Sequence, residues 1–419
     1  MPSQPTRRQF VREASLIGIG AWVFDGASDA QTRSPNEKLG IACIGCGGRG
    51  RGTAEAMARN HRLVAMCDVD EKMAEKAFAA LPSTPKFQDF RQMFDKLASQ
   101  IDAVTIATPD HIHAPAAVLA MKLGKHVFCE KPLAHSVYEC RVMAETAAQK
   151  GVTTQMGIQG HSMAYDRQIA AMIRNGVIGP VRRAHSWCPH GDSCGKRPAE
   201  TPPVPKTLNW DAWIGPAPLR PYHPAYVPFK WRGWNDFGTG SSGDFGCHTT
   251  DVIFTALDLT APVRIEATGE PADPGEGFAS SLTVKYDFPA RGAFPPLVLY
   301  WHHGGHQPGR KPIQDLDLPK DLKMPGGGAL FVGDKGILIR RHHGPIEALL
   351  PKDAFAGVKP PADIQGVDHV GEWLQACRTG GKPRANFQFA GALTETILLG
   401  NLAHRAGKPI EWDSKNFKI

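Results

Sequence analysis

Apart from one short stretch near its start, this 419-residue chain has no long apolar run. That stretch, from Ala14 to about Phe24, is roughly half of the about 20 residues a bilayer requires, so the mature chain is expected to carry no membrane span. Clustered charge is also missing. Lys and Arg outnumber Asp and Glu by 48 to 41, a net charge of +7, yet the basic residues never form runs of five. Together with the lack of any RNA- or DNA-binding motif, this argues against nucleic acid as a partner. Zinc-ribbon spacing is absent, and no metal site is expected. There are no internal repeats. The nine cysteines are an odd number. Cys43, Cys46, Cys67 and Cys129 sit in apolar, strand-like settings as small hydrophobes, while Cys188 and Cys194 are close enough to bridge in an oxidising compartment.

What is present points to a globular enzyme. The 42% hydrophobic content can supply cores for two or three domains, and the Gly and Pro are spread among periodic segments rather than pooled into disordered tracts. The N-terminus reads as a leader over residues 1–30. Arg7-Arg8-Gln9-Phe10 forms the basic region, the apolar stretch follows, and small residues reach Ala30. The paired arginines specify the twin-arginine route, hence a periplasmic or otherwise exported protein. Loss of residues 1–30 removes three Arg and three acidic residues (Glu13, Asp25, Asp29), so the charge stays at +7.

From residue 38 to 157 strands and helices alternate: Lys38–Cys43, Leu63–Cys67, Ala103–Ala107 and His126–Cys129 as strands; Thr53–Asn60, Glu71–Ala80, Phe90–Ala98, Pro115–Leu123 and Ser136–Lys150 as helices. That pitch predicts βαβ units and a doubly wound parallel sheet, the Rossmann arrangement. From 158 to 419 the pattern changes to strands at 182–188, 263–269, 280–288, 296–303, 329–333 and 336–341. These suit a large, mostly antiparallel open sheet in a C-terminal α/β domain. Residues 190–235 are rich in Pro and aromatics with little period, as expected of an ordered excursion lining a site or interface. Helices return at Asp368–Arg378 and Ala390–Ala406.

Three constellations carry chemistry. Gly45-x-Gly47-Gly48-Arg49-Gly50 lies between a strand and a helix, where backbone N–H groups can meet a pyrophosphate at a helix N-terminus. Asp68 ends the next strand, placed to bind an adenosine ribose and to repel a 2′-phosphate. NAD is therefore expected over NADP, with Arg49 a small opposing hint. Glu130-Lys131-Pro132 follows a strand of the same sheet, where ligands sit, and the Lys131 ammonium could hydrogen-bond a substrate hydroxyl. Finally, in Asp244-Phe-Gly-Cys-His248-x-x-Asp251 a continuous helix would put Asp244 and His248 on one face, the carboxylate orienting an imidazole suited to proton transfer.

Together with Thr108-Pro109-Asp110-His111-Ile112-His113-Ala114, these segments resemble the glucose–fructose oxidoreductase, inositol dehydrogenase and MocA family. The segments at Trp210–Pro218, Trp231–Gly240 and Gly326–Gly336 are similar to its exported members. The resemblance implies that Lys131, Asp244 and His248 are catalytic. It places the glycine loop, Asp68, Thr108, Pro109, His113, Glu130 and Lys131 on the cofactor, and implies a homo-oligomer, dimer or tetramer. Trp301-His302-His303 departs from the Trp-Tyr-Asp expected of that subgroup. Gln159, His161, Tyr165, Trp234, His302 and His303 are candidate substrate contacts, although His302 and His303 equally suit a satisfied strand end.

An exported enzyme must regenerate its nicotinamide where it sits. The expected function is NAD-dependent hydride transfer at a hydroxyl carbon of a sugar or polyol. A redox-neutral glycosidase (oxidation, elimination, reduction) acting on a sugar glycoside is the alternative, with His161, Tyr165 or His302 as its further base. A non-catalytic sugar-binding protein is the third.

Overall fold

The computed structural model describes residues 38–419 apart from 272–275, 311, 312, 314 and 317. The expected leader and its paired arginines lie outside the described residues. In the N-terminal part the chain runs β1 (Gly40–Ile44), α1 (Gly48–Asn60), β2 (Arg62–Cys67), α2 (Glu71–Ala80), β3 (Lys86–Phe87), α3 (Phe90–Leu97), β4 (Ala103–Ile106), α4 (Asp110–Lys122), β5 (His126–Glu130), α5 (Val137–Lys150) and β6 (Thr154–Gly157). All six strands pair in parallel, in the order β3-β2-β1-β4-β5-β6. Buried on both faces, β1 and β4 are apolar nearly throughout.

Local signals explain the helix ends. Asp70 and Asp89 accept hydrogen bonds from the Lys72 and Arg91 amides, and Ser136 with Glu139 forms a reciprocal capping box before α5. α1 starts at Gly48, earlier than the apolar pattern predicts, because its first turn is glycine-rich and gives no periodicity. α4 likewise starts at Asp110 and runs through Pro115. The chain order reverses between β1 and β4, which opens a crevice at the carboxyl ends of those strands.

After α6 (Ala164–Arg174) the chain builds β7 (Val181–Cys188), α7 (Trp210–Ile214), a π-helical turn (Ser242–Gly246), α8 (Cys247–Leu257), β8 (Arg264–Gly269), β9 (Leu282–Phe288), β10 (Leu297–His303), β11 (Gly328–Gly333), β12 (Gly336–Arg341), β13 (Ile346–Leu350), α9 (His369–Thr379), α10 (Phe387–Ala406) and β14 (Ile410–Glu411). These strands form an eight-stranded sheet in the order β13-β12-β11-β7-β10-β9-β8-β14. All its pairs are antiparallel except β7 with β10. Burial alternates along β9 and β10, so Val284, Tyr286, Leu299 and Trp301 face the main core and their neighbours point outward.

The parallel sheet ends at Gly157, but its core does not. α9 returns to it, and Trp373, fully buried and 5.5 Å from the Phe128 ring, joins Leu374 and Cys377 against Ile41 and Cys43. The excursion after β7 packs an aromatic core of its own from Trp213, Tyr226, Trp231, Trp234 and Phe237. It also stitches onto the other sheet. The Glu71 amide donates to Thr207 O (3.0 Å), and the Asn209 amide to Val69 O (2.8 Å). All nine cysteines are buried thiols. Cys188 donates to His190 O and burial pushes its pKa to about 12, so the Cys188–Cys194 bridge contemplated above does not form.

Gly45 has φ +81°, and a Cβ there would lie 2.5 Å from Ala107 O; a Cβ on Gly50 would overlap Gly45 O. Gly50→Ala is expected to cost about 1–3 kcal/mol in denaturant unfolding, because backbone must shift to admit the methyl. Dinucleotide titration should show weakened binding; wild-type values in both measurements would refute the packing argument.

Candidate active site

The crevice is a cavity of about 640 Å³ whose lining includes Gly45, Gly47, Gly48, Arg49, Asp68, Asp70, Thr108, Pro109, Glu130, Lys131, Gln159, Phe229, His248 and His343. At one end the glycine loop leads into α1, whose N-terminus has no side-chain cap. Asp68 Oδ2 accepts from the Cys46 and Gly47 amides (2.8 and 3.0 Å), and Oδ1 from the Asp70 amide. Asp68 therefore shapes the loop as well as facing the cavity, and only Oδ1 retains much capacity for a ribose hydroxyl. Arg49 meets Glu130 at 3.0 Å, and Arg91 is held by Asp89 at 2.6 Å. With Arg232, which meets Asp244, all three arginines among the lining residues have carboxylate partners. A dinucleotide fits these residues: the loop and helix end for the diphosphate, Asp68 for the ribose, and Thr108, Pro109 and Lys131 at the nicotinamide end.

At that end Lys131 leaves β5, joined to Pro132 by a cis peptide. Its ammonium donates to Asp244 O (2.7 Å) and to the Asp244 carboxylate, which also receives Arg232 Nε at 3.2 Å. Burial would raise the Asp244 pKa, but Lys131 and then Arg232 outweigh it and hold the carboxylate below its usual range. The expected Asp244–His248 partnership does not form. The π-helical turn puts five residues where α-geometry would put four, and Asp244 faces Lys131 instead. Asp244 stands behind the lysine and holds its ammonium. His248 lines the cavity with its Nδ1 buried and unbonded among the described residues. Burial first and Lys131 second drive its pKa well below 6.5, so the ring is neutral.

Other candidates stand elsewhere. His113 is 1% exposed, with Nδ1 2.8 Å from Pro132 O and Nε2 3.0 Å from Thr108 O; it clamps the lysine turn to the end of β4 and stays outside the cavity lining. His161 pairs with buried Asp251 (2.9 Å); burial pulls its pKa down, but Asp251 outweighs this and the net shift is upward. Tyr165 is 46% exposed on α6. Trp234 is buried, donating to Ala225 O at 3.0 Å. His302 lies 3.1 Å from both His185 Nδ1 and Thr283 Oγ1, and His303 3.0 Å from Ala279 O. Burial lowers both to about 4. These five do not line the cavity; both ring nitrogens of His302 have partners, and His303 is held through Nε2 alone. Gln159 does line it, with Nε2 unbonded among the described residues.

Sequence reasoning missed His342 and His343, at the β12–β13 hairpin. His343 lines the cavity with its ring 5.1 Å from His248. The hairpin's register, more than ninety residues after His248, gave no local signal; only the turn residues Gly344-Pro345 marked the place. Among the described residues no cluster of His, Cys, Asp and Glu is arranged to hold a metal, and no helix is long and apolar enough to cross a membrane.

If the neutral His248 ring accepts a hydroxyl proton, activity falls as pH drops through its lowered pKa. The acid limb of kcat/KM for oxidation is expected below the ordinary 6.5. A limb at or above that value would show that His248 is not the acceptor.

Comparison with known proteins agrees with this geometry. Residues 39–158 match the model of the oxidoreductase family's NAD-binding Rossmann fold, and residues 183–288 that of its C-terminal α/β domain. Glucose-6-phosphate 3-dehydrogenase of Bacillus subtilis is 31% identical over 35% of this chain and 40% of its own length. A glycosyl hydrolase family 109 protein of Solibacter usitatus is 30% identical over 42% of this chain and 44% of its own. The chain thus spans less than half the length of these relatives. The WlbA dehydrogenase of Bordetella pertussis, solved with NADH and UDP-GlcNAcA, superposes with a TM-score of 0.62 at 17% identity, covering 90% of this chain and 99% of that one. The chain belongs to the glucose–fructose oxidoreductase, inositol dehydrogenase and MocA family of NAD-binding oxidoreductases.

Proposed function

We propose that this protein transfers hydride between a hydroxyl carbon of a sugar or polyol and a resident nicotinamide dinucleotide. One observation carries the reading. Lys131 shares the cavity lining with Thr108, Gln159, His248 and His343, each of which holds a buried polar atom without a protein partner among the described residues. Buried polar groups without partners are costly, and a polyhydroxylated ligand satisfies them.

The dinucleotide supplies the hydride acceptor when bound. Lys131 spends two donors on Asp244 and keeps a third for the substrate oxygen, whose developing charge its ammonium stabilises. His248 accepts the hydroxyl proton, and Lys131's positive charge favours its return. Asp68 and Asp70 on the cavity wall support NAD over NADP, since a 2′-phosphate there would meet two carboxylates. The excursion stitched to α2 and Val69 roofs the cleft with Leu208, Trp213 and Phe229, which supports a cofactor that stays bound between turnovers. Residency suits export, which the leader Arg7-Arg8-Gln9-Phe10 supports. The outward row Val298, Tyr300 and His302, not fully buried within one chain, supports a dimer or tetramer. A redox-neutral glycosidase is the second reading, favoured by the paired His248 and His343 rings.

Mass spectrometry of the purified protein should find co-purified dinucleotide. Lys131→Ala is expected to slow nicotinamide reduction by about 10²–10⁴ across a panel of sugars and polyols; undiminished turnover would move the chemistry elsewhere. Arg7→Lys with Arg8→Lys should leave the protein in the cytoplasmic fraction, and continued appearance in the periplasm would refute twin-arginine export.

A further inference from the structure

We infer that the substrate carries an anionic group, a carboxylate or a phosphate, and that Arg232 is the residue that selects it. The inference rests on the proposed hydride transfer and narrows its substrate class. Arg232 belongs to a short helical turn of the long excursion (Lys230–Gly233) and lines the cavity with Lys131 and His248. Its Nε lies 3.2 Å from Asp244 Oδ1, the same oxygen that receives the Lys131 ammonium. Two cations therefore share one carboxylate. A substrate closing over them displaces water, and the surplus positive charge then needs a counter-charge.

Neighbouring groups do not supply it. Glu130 is engaged with Arg49 at 3.0 Å. Asp110 is buried and receives Thr239 Oγ1 at 2.6 Å; burial raises its pKa against the pull of its neighbours, which weakens its anionic form. His248 and His343 have lowered pKa values, each chiefly through burial, and stay neutral.

The arginine is held as a recognition group. Its guanidinium lies over the Trp231 ring, 4.2 Å from the centroid, and Trp231 is itself buried in the aromatic core of the excursion. This stacking fixes the plane of the fork. Its backbone is tightly packed, since a Cβ on Gly238 would come within 2.6 Å of Arg232 Cα and O. Asp244, met through Nε, is its one ionic partner among the described residues, and the side chain keeps 32% of its surface. The Nη1 and Nη2 end of the fork thus remains for a ligand. Two coplanar donors match the paired oxygens of a carboxylate or phosphate, whereas a neutral hydroxyl satisfies them poorly. Because Lys131 and Arg232 converge on one oxygen, an anion on the fork and a hydroxyl on the ammonium lie within the span of one monosaccharide.

The test uses the full chain loaded with NAD. Glucuronate, galacturonate and glucose 6-phosphate are set against glucose, galactose and myo-inositol, and absorbance follows nicotinamide reduction. The wild type should show a kcat/KM for at least one acidic probe about 10–10² times that for its neutral parent. Arg232→Met and Arg232→Gln should remove this preference, and Arg232→Lys, which keeps the charge but loses the fork, should retain only part of it. Preference is a ratio within one protein, so partial loss of folded enzyme does not move it. A preference for the uronates or for the phosphate supports the inference and identifies the anion. Equal use of acidic and neutral probes by the wild type, or a preference unchanged in Arg232→Met and Arg232→Gln, overturns the inference alone. Reduction with no probe of either kind overturns the hydride-transfer reading beneath it, and the inference with it.

Discussion

The contact between the Lys131 ammonium and the Asp244 carboxylate is the constraint on which the site depends. It joins the end of β5 in the parallel sheet to the π-helical turn before α8 in the other half of the molecule. Isolated charges at this depth would be costly, and removing either partner would leave the other uncompensated. With Arg232 as a second cation, the carboxylate remains ionised, and Lys131 is fixed where a substrate oxygen can reach its third donor. His113 serves the same end from below, its two ring nitrogens bracketed by Pro132 O and Thr108 O, so the lysine turn and the β4 end move as one. Glu130, one residue before the lysine, reaches Arg49 at the start of α1. The cofactor end and the reactive end are thus tied by a short chain of ionic and hydrogen-bonded contacts.

The long excursion adds a second constraint. Most of its aromatic residues bury one another: Trp210 lies on Trp213 at 4.7 Å, and Tyr226 meets Trp234 edge-on at 4.9 Å, while Phe229 is exposed on the cavity lining. Buried Arg220 is inserted among Tyr226, Trp234 and Phe237 and neutralised by Asp236. This core packs the excursion together and against His111 and Val69, and the backbone bonds at Thr207 and Asn209 hold it over the cleft. A roof built this way resists opening because its own packing would have to break with it.

The parallel domain was legible because each of its elements announces itself locally. α2 occupies the predicted residues, since Asp70 caps it and the helical apolar period is clean. The loop glycines were readable because Gly45 and Gly50 stand where no side chain fits. The site was legible only where chemistry and local geometry coincide, as at Lys131 and His248. Asp244 was read as the partner of His248 from α-helical spacing, and the π-turn defeats that rule. His343 reaches the cavity through sheet register and one left-handed residue, neither of which leaves a periodic trace. For His302 and His303 substrate contact and a satisfied strand end read equally from sequence, which does not show that β7 and β9 would pair beside His302 and supply His185 and Thr283 to its ring.

The histidines divide by what surrounds them, and the division argues for where chemistry happens. His111, His113, His161, His302, His303 and His369 all find partners in backbone or neighbouring side chains. Several imidazoles keep a buried nitrogen without a partner among the described residues, and two of these, His248 and His343, line one cavity with a paired ammonium. Two adjacent neutral rings on one cavity wall are a costly arrangement that a bound hydroxylated ligand would relieve. Stability alone would favour filling that volume with apolar side chains. The rings are retained at a cost, and a ligand bringing hydroxyls and mobile protons to the cavity is what recovers it.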